Sequence, residues 1–112
     1  MQISNASTTE GVEIITVEGE VDMDASPKFL NLLRMAFRKN AKGIVVDLSA
    51  VPFMDSSGIA TLVEGLRWSK KEGTRFILVG LQENVGHTLK LAKLNNFFEI
   101  SSTQEDALGS IG

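Results

Sequence analysis

The chain reads as a single α/β domain, a mixed sheet of four to five strands packed with about four helices, on three observations. From Gly43 onward, strand-like and helix-like patterns alternate, the order that parallel strands joined by right-handed crossovers produce. Two runs, Gly43–Leu48 and Phe76–Val79, are apolar on both faces, as buried central strands are. A hairpin-like start before Gly43 adds an antiparallel element and makes the sheet mixed. The length, 112 residues, suits one domain spanning 1–112 with a real core and leaves no room for two.

The elements follow in order. Val12–Val17 has the length and β-branched content of a strand, and Met1–Ser4 is expected as its short edge partner. Gly19-Glu20-Val21-Asp22 leads away from it. Ser26-Pro27 predicts an N-cap followed by proline at the first helical position. Phe29, Leu30, Leu33, Ala36 and Phe37 recur at helical spacing, so a first helix should end near Asn40. After the Gly43–Leu48 strand, a second helix is expected from about Ile59 to Glu72, burying Ile59, Leu62, Val63 and Leu66 and stopping at Gly73. A third, about Glu83–Leu94, should pack through Val85, Leu89 and Ala92. Phe97–Ile100 predicts a short last strand and Thr103–Leu108 a final helix with an acidic first turn. How many helices cover each face is not readable from this pattern.

Composition narrows the function classes. Hydrophobic content of 43% and charged content of 22% are ordinary for a water-soluble globular domain. A net charge of −3 argues against direct nucleic-acid binding, which favours a basic stripe. Without cysteine there is no disulfide, thiolate metal site or cysteine nucleophile. Met1-Gln2-Ile3-Ser4-Asn5 lacks the basic start and apolar run of a signal peptide, and no apolar stretch approaches the roughly 20 residues of a membrane span. A cytoplasmic protein with no membrane partner is expected.

The most informative segment is Phe53-Met54-Asp55-Ser56-Ser57-Gly58, on the turn between a strand and a helix. Backbone N–H groups point outward there, and the helix dipole favours negative charge. Three chemistries compete for it. A nucleophile elbow would need glycine where Met54 stands, and the lone histidine, His87, lies on a polar helical turn where an inert role is the simpler reading. A receiver domain phosphorylated on aspartate would need an acid pair after its first strand, where Val17-Glu18-Gly19 stands, and a lysine ending a late strand, where Gly80-Leu81 and Ser101 stand. No phosphate-binding glycine loop is present, so a serine phosphorylated here would be the substrate of a separate kinase. The competing reading is a plain helix cap, since Asp and Ser are preferred there in any case. Both stay open on chemistry alone.

Phe53-Met54-Asp55-Ser56-Ser57-Gly58-Ile59 closely resembles the signature of the STAS domains, in particular the bacterial anti-sigma factor antagonists. Gly19-Glu20-Val21-Asp22 resembles the family's Gly-Glu-apolar-Asp segment, and Lys71-Glu72-Gly73 falls in the matching place before the next strand. The resemblance covers essentially the whole chain, with Asn95 standing where many members carry glycine. It implies an anti-sigma factor antagonist rather than an enzyme, acting without cofactor or metal. Its partners would be an anti-sigma factor with serine-kinase activity, bound while the antagonist is unphosphorylated so that a sigma factor is released, and a PP2C-like phosphatase that restores binding. Ser56 would be the phosphoacceptor and Ser57 its neighbour. Asp55 would position the acceptor hydroxyl, and Asp22 would contribute to the partner surface. Independently of the resemblance, Gly58, Thr61 and Trp68 are candidates for the same surface from their places in the motif and along the second helix. The alternative within the family is a regulatory subunit of a transport assembly, or a partner-switching output without a sigma factor.

A phosphoserine adds about −1.5 to −2 charges, tolerated at a helix N-terminus but costly in a buried interface. A loss of about 3–5 kcal/mol would lower affinity by about 10² to 10³ or more. On a helical projection Ser57, Thr61, Glu64 and Trp68 share one face, opposite Ile59, Leu62 and Leu66. The only tryptophan is therefore expected to project away from the core, as a partner contact or lying over a neighbouring helix. Lys70-Lys71 is most simply a solvated helix end.

Overall fold

The computed structural model describes residues 1–111. Five strands form one sheet in the order of the chain: β1 (Gln2–Ser7), β2 (Val12–Glu18), β3 (Gly43–Ala50), β4 (Arg75–Val79) and β5 (Glu99–Ser101). β1 and β2 form the expected antiparallel hairpin, and β2 through β5 are parallel. Four helices connect or follow them: α1 (Ser26–Phe37), α2 (Ser56–Glu72), α3 (Glu83–Leu91) and α4 (Gln104–Ile111). The mixed α/β architecture is the one the alternation predicts.

Period-two alternation along the strands sends each set of side chains to its own layer. Ile15 and Val17, Ile44, Val46 and Leu48, and Phe76 and Leu78 face the large core, where α1, α2 and α3 supply Phe29, Leu33, Leu62, Val85 and Leu89. Val12, Val45, Ile77 and Val79 face the other way, onto Ala107 of α4. Three helices thus cover one face and a single short one the other. Glu13 is buried at the sheet margin, where Lys39 Nζ at 3.0 Å and Asn5 Nδ2 at 3.1 Å satisfy its carboxylate.

Several boundaries move for identifiable reasons. β1 runs to Ser7 because its whole length pairs with β2. Ser26 is not the N-cap of α1; that position is Ala25, and the Asp22 carboxylate takes over the capping by accepting from the N–H groups of Asp24 and Ala25 at 3.1 and 2.9 Å. α2 begins at Ser56, and only Ile59 and Leu62 of its expected core residues are buried, Val63 and Leu66 remaining half-exposed. It ends as expected at Gly73, whose φ of 68° is open to glycine at little cost. α3 stops at Leu91, which leaves Ala92 exposed and removes it from the packing face. The last strand is Glu99–Ser101, two residues later than the apolar run suggests, because Phe98 turns down into the large core.

Candidate functional site

The loops leaving the carboxyl ends of β2 and β3 run side by side at the edge of the sheet where α/β folds place their sites. Val21 donates to the Phe53 carbonyl and Asp55 to the Val21 carbonyl, both at 3.1 Å, and Val21 pairs with Met54 in an isolated parallel bridge. Buried Val21 and Met54 anchor the two loops from beneath. Asp22 and Asp55, distant in sequence, become neighbours at the first turns of α1 and α2. Gly58 permits the close approach: a methyl there would collide with Met54 Cγ and come within 3.0 Å of Val21 Cγ1.

Asp55, not Ser56, caps α2. Its backbone is extended, and its Oδ1 accepts from the N–H groups of Ser57 at 2.9 Å and Gly58 at 3.3 Å. The same oxygen accepts from Ser57 Oγ at 2.5 Å. The Ser57 hydroxyl is foremost in holding the Asp55 carboxyl below its ordinary range. Desolvation, second in size, opposes the shift, and the N–H groups of Gly58, Ser57 and Met23 reinforce it.

Ser57 Oγ also lies 2.7 Å from Ser26 Oγ, which in turn lies 2.7 Å from the Asp22 carbonyl. Two hydroxyl protons serve these three contacts. Ser57 gives its proton to the carboxylate, so that of Ser26 is shared between Ser57 Oγ and the Asp22 carbonyl. The chain Asp22–Ser26–Ser57–Asp55 ties the first turn of α1 to that of α2. Ser56 stands outside it: the residue is exposed, and no described protein group hydrogen-bonds its hydroxyl. The two adjacent serines are therefore in opposite states, one committed and one free.

This arrangement corrects the expected role of Asp55, which orients the hydroxyl of Ser57 and not that of Ser56. It also separates the other expected contacts. Asp22 is exposed beside the motif. Gly58 and Thr61 are buried, with Thr61 only 4% exposed and its hydroxyl donating to the Ser57 carbonyl at 3.0 Å. They shape the turn and expose little surface, Thr61 reaching only the floor of a neighbouring cleft. Trp68 does not project freely; it packs edge-on against Phe37 of α1, with ring centroids 5.7 Å apart. His87 is exposed on α3.

Sequence reasoning missed Ser26 as a member of the site, because proline after it made a cap the simpler explanation. It also missed the apolar surroundings. Met23 and Phe53 are 76% and 45% exposed, and Met23, Pro27, Leu30 and Ala60 line a cleft of about 360 Å³ between α1 and α2, beside Ser57. The motif thus carries carboxylates outside any described ion pair, one free hydroxyl and exposed apolar surface together, a combination suited to protein recognition. Among the described residues there is no cluster of His, Cys, Asp or Glu able to hold a metal ion, and no helix long and apolar enough to cross a membrane.

The STAS domain family model matches residues 4–107. An anti-sigma-B factor antagonist of Listeria monocytogenes is 24% identical over 102 residues, covering 91% of this chain and 89% of its own. The anti-sigma-F factor antagonist RsfB of Mycobacterium tuberculosis is 28% identical, with coverage of 90% and 82%. The crystal structure of an anti-sigma factor antagonist from Mycobacterium paratuberculosis superposes with a TM-score of 0.86 at 28% identity, over 98% of this chain and 94% of that one. The fold is shared with SpoIIAA, solved in unphosphorylated form (TM-score 0.84, 21% identity, 98% and 96% coverage) and, from Bacillus, in phosphorylated form (0.78, 20%, 99% and 100%).

Proposed function

The chain belongs to the STAS domain family, and on that premise we propose that it is an anti-sigma factor antagonist switched off by phosphorylation of Ser56. In its unphosphorylated state it binds an anti-sigma factor that is also a serine kinase, and so releases a sigma factor. A PP2C-like phosphatase reverses the modification. The protein is the substrate in this cycle and not the catalyst, and it acts in the cytoplasm, where its partners work.

The observation that carries this reading is the opposite state of the two serines. Ser57 is held by Asp55 and Ser26, whereas Ser56 is exposed with a free hydroxyl at the same helix start. A kinase reaches Ser56 without disturbing a single protein hydrogen bond. In the transfer, a bond forms between Ser56 Oγ and the γ-phosphorus of ATP, the bond from that phosphorus to the bridging oxygen breaks, and ADP leaves. The hydroxyl proton passes to a base on the kinase, since Asp55 is occupied by Ser57.

The product phosphate sits at the first residue of α2, where dipole and N–H groups tolerate it. The fold stays intact, and the change falls on the surface formed by Asp22, Asp55, Met23 and Phe53. A dianion buried there against a partner lacks compensation, which ends the complex. Intact-mass measurement after incubation with the cognate kinase and ATP tests the acceptor: wild type gains one phosphate and Ser56→Ala gains none. Phosphate uptake by Ser56→Ala would refute the assignment. Affinity capture from the source cells tests the partner, and recovery of a transport ATPase in place of a serine kinase would overturn the sigma-pathway reading.

A further inference from the structure

At about 1.5 Å per residue, Trp68 lies about 18 Å along α2 from Ser56, at the opposite end of the helix. It therefore belongs to a different surface. There the carboxyl-terminal turns of α1 and α2 enclose an open cleft of about 420 Å³, lined by Arg34, Phe37, Arg38, Trp68 and Lys71, with Glu72 as its one acid. The Arg34 guanidinium stands over the Trp68 ring, 5.5 Å from the centroid, and Phe37 supports the indole from the side. The residue is half-buried, with Arg34 and Phe37 against its ring.

Arg34, Arg38 and Lys71 form no ion pair among the described residues; the pairs present are Lys39–Glu13, Arg67–Glu64 and Arg75–Glu99. A chain of net charge −3 thus gathers three cations outside any described ion pair, against one acid, around its only tryptophan. Compensation of the two helix dipoles explains a basic residue in each last turn. It does not explain an aromatic floor between them.

We propose that this cleft is a second docking surface, one that takes an acidic segment of a partner protein carrying an apolar side chain between its carboxylates. The apolar side chain would rest on Trp68 and Phe37, and the carboxylates would pair with Arg34, Arg38 and Lys71. Guanidinium groups suit this role because they bind carboxylates in two-point fashion while lying flat on aromatic rings. A compact phosphate is the poorer occupant. Phosphate sites draw on helix N-termini and their N–H groups, whereas this cleft is bordered by the carbonyl ends of two helices. Single carboxylates, spaced along a peptide, meet the spread cations without concentrating charge against those carbonyls.

Trp68 is its own reporter, and the experiment needs no kinase, so its outcome is independent of the phosphorylation cycle. A short peptide of alternating glutamate and leucine is titrated into the protein while Trp68 emission is followed, with the glutamine–leucine peptide and tripolyphosphate as parallel probes. The acidic peptide is expected to give a saturable emission change that weakens with added salt, and the glutamine peptide none. Arg38→Gln and Lys71→Gln each alter an exposed side chain, so both should fold normally by circular dichroism and bind about tenfold more weakly. The proposal is overturned if the acidic peptide gives no saturable change, if both folded variants bind it as wild type does, or if tripolyphosphate binds as tightly. A matching emission change on concentrating the protein alone would place a second copy in the cleft and overturn it equally.

Discussion

The two ends of α2 carry opposite charge by opposite means. At its start, Asp55 is held by three hydrogen bonds and linked through Ser57 and Ser26 to the loop of Asp22. At its end, Lys71 is joined by Arg34 and Arg38 from another helix, and none of the three is held by an acid. Both arrangements suit the helix dipole, so that dipole alone does not distinguish them. Order does. On the proposed readings, the first end holds one of two adjacent serine hydroxyls and leaves the other free for a kinase; the second offers cations outside any described ion pair to a ligand that needs only charge and an aromatic surface. On those readings one end serves selection and the other adhesion.

The comparison breaks most visibly at Ser56. Ser56→Asp places a permanent carboxylate on the selective end, and partner affinity should fall about 100-fold, as measured by titration calorimetry, with thermal stability little changed. Retained affinity would show that charge at this position is not what ends the complex. A smaller effect, on stability, is expected from Gly58→Ala. The added methyl forces Met54, which is 1% exposed, away from Val21. Overpacking of this kind costs about 1–3 kcal/mol, to be read from the urea midpoint. An unchanged midpoint would mean that the two loops part easily and that the order of this end is not imposed from beneath.

Much of this was legible in the sequence, and the limits have a physical pattern. Asp55-Ser56-Ser57-Gly58 could be read because capping is local: a carboxylate reaches N–H groups two and three residues ahead whatever the rest of the chain does. The strands of the large core could be read from their apolar runs. What escaped the sequence depends on contacts between distant segments. Ser26 meets Ser57 only after α1 docks on α2, and Trp68 loses its free projection because Phe37 arrives beside it from the same helix. The helical projection placed Trp68 on the correct side of α2 but carried no information about what lies on that side. The motif was assigned to Ser56 by resemblance, and the reason that Ser57 is withheld required coordinates.

The removal of one hydroxyl sharpens the selective end further. Ser57→Ala deletes the foremost cause of the depressed Asp55 pKa, and the carboxyl should titrate closer to its ordinary range by NMR, while Ser56 still accepts phosphate. Three other carboxylates are shifted in the same direction. Asp55, Glu99, Asp47 and Glu13 all lose their protons more readily folded than unfolded, the last two because hydrogen bonds outweigh a burial effect in the other direction. Each therefore contributes stability that is complete above the ordinary carboxylate range and disappears as pH falls through the depressed values. Acid unfolding below about pH 4 should accordingly come later, at lower pH, in wild type than in Ser57→Ala. Coincident acid transitions would detach Ser57 from the electrostatics of the site.

The smallest effect is expected between the two ends. Arg67 and Glu64 form an ion pair at 3.1 Å on the open side of α2, three residues apart, with the arginine side chain 72% exposed. Such pairs contribute about 0.2–0.5 kcal/mol, because water screens the charges and two long side chains lose freedom in meeting. Arg67→Ala should thus shift the urea midpoint barely beyond error and leave both partner affinity and acidic-peptide binding as they are. The variant nonetheless discriminates. If the two ends of α2 act separately, removing a charge that lines neither cleft changes neither. If one partner instead lies along the whole helix, from Ser56 to Trp68, it crosses Arg67 and Glu64, and affinity should fall severalfold with no loss of stability. That result would join the selective and the adhesive ends into a single footprint.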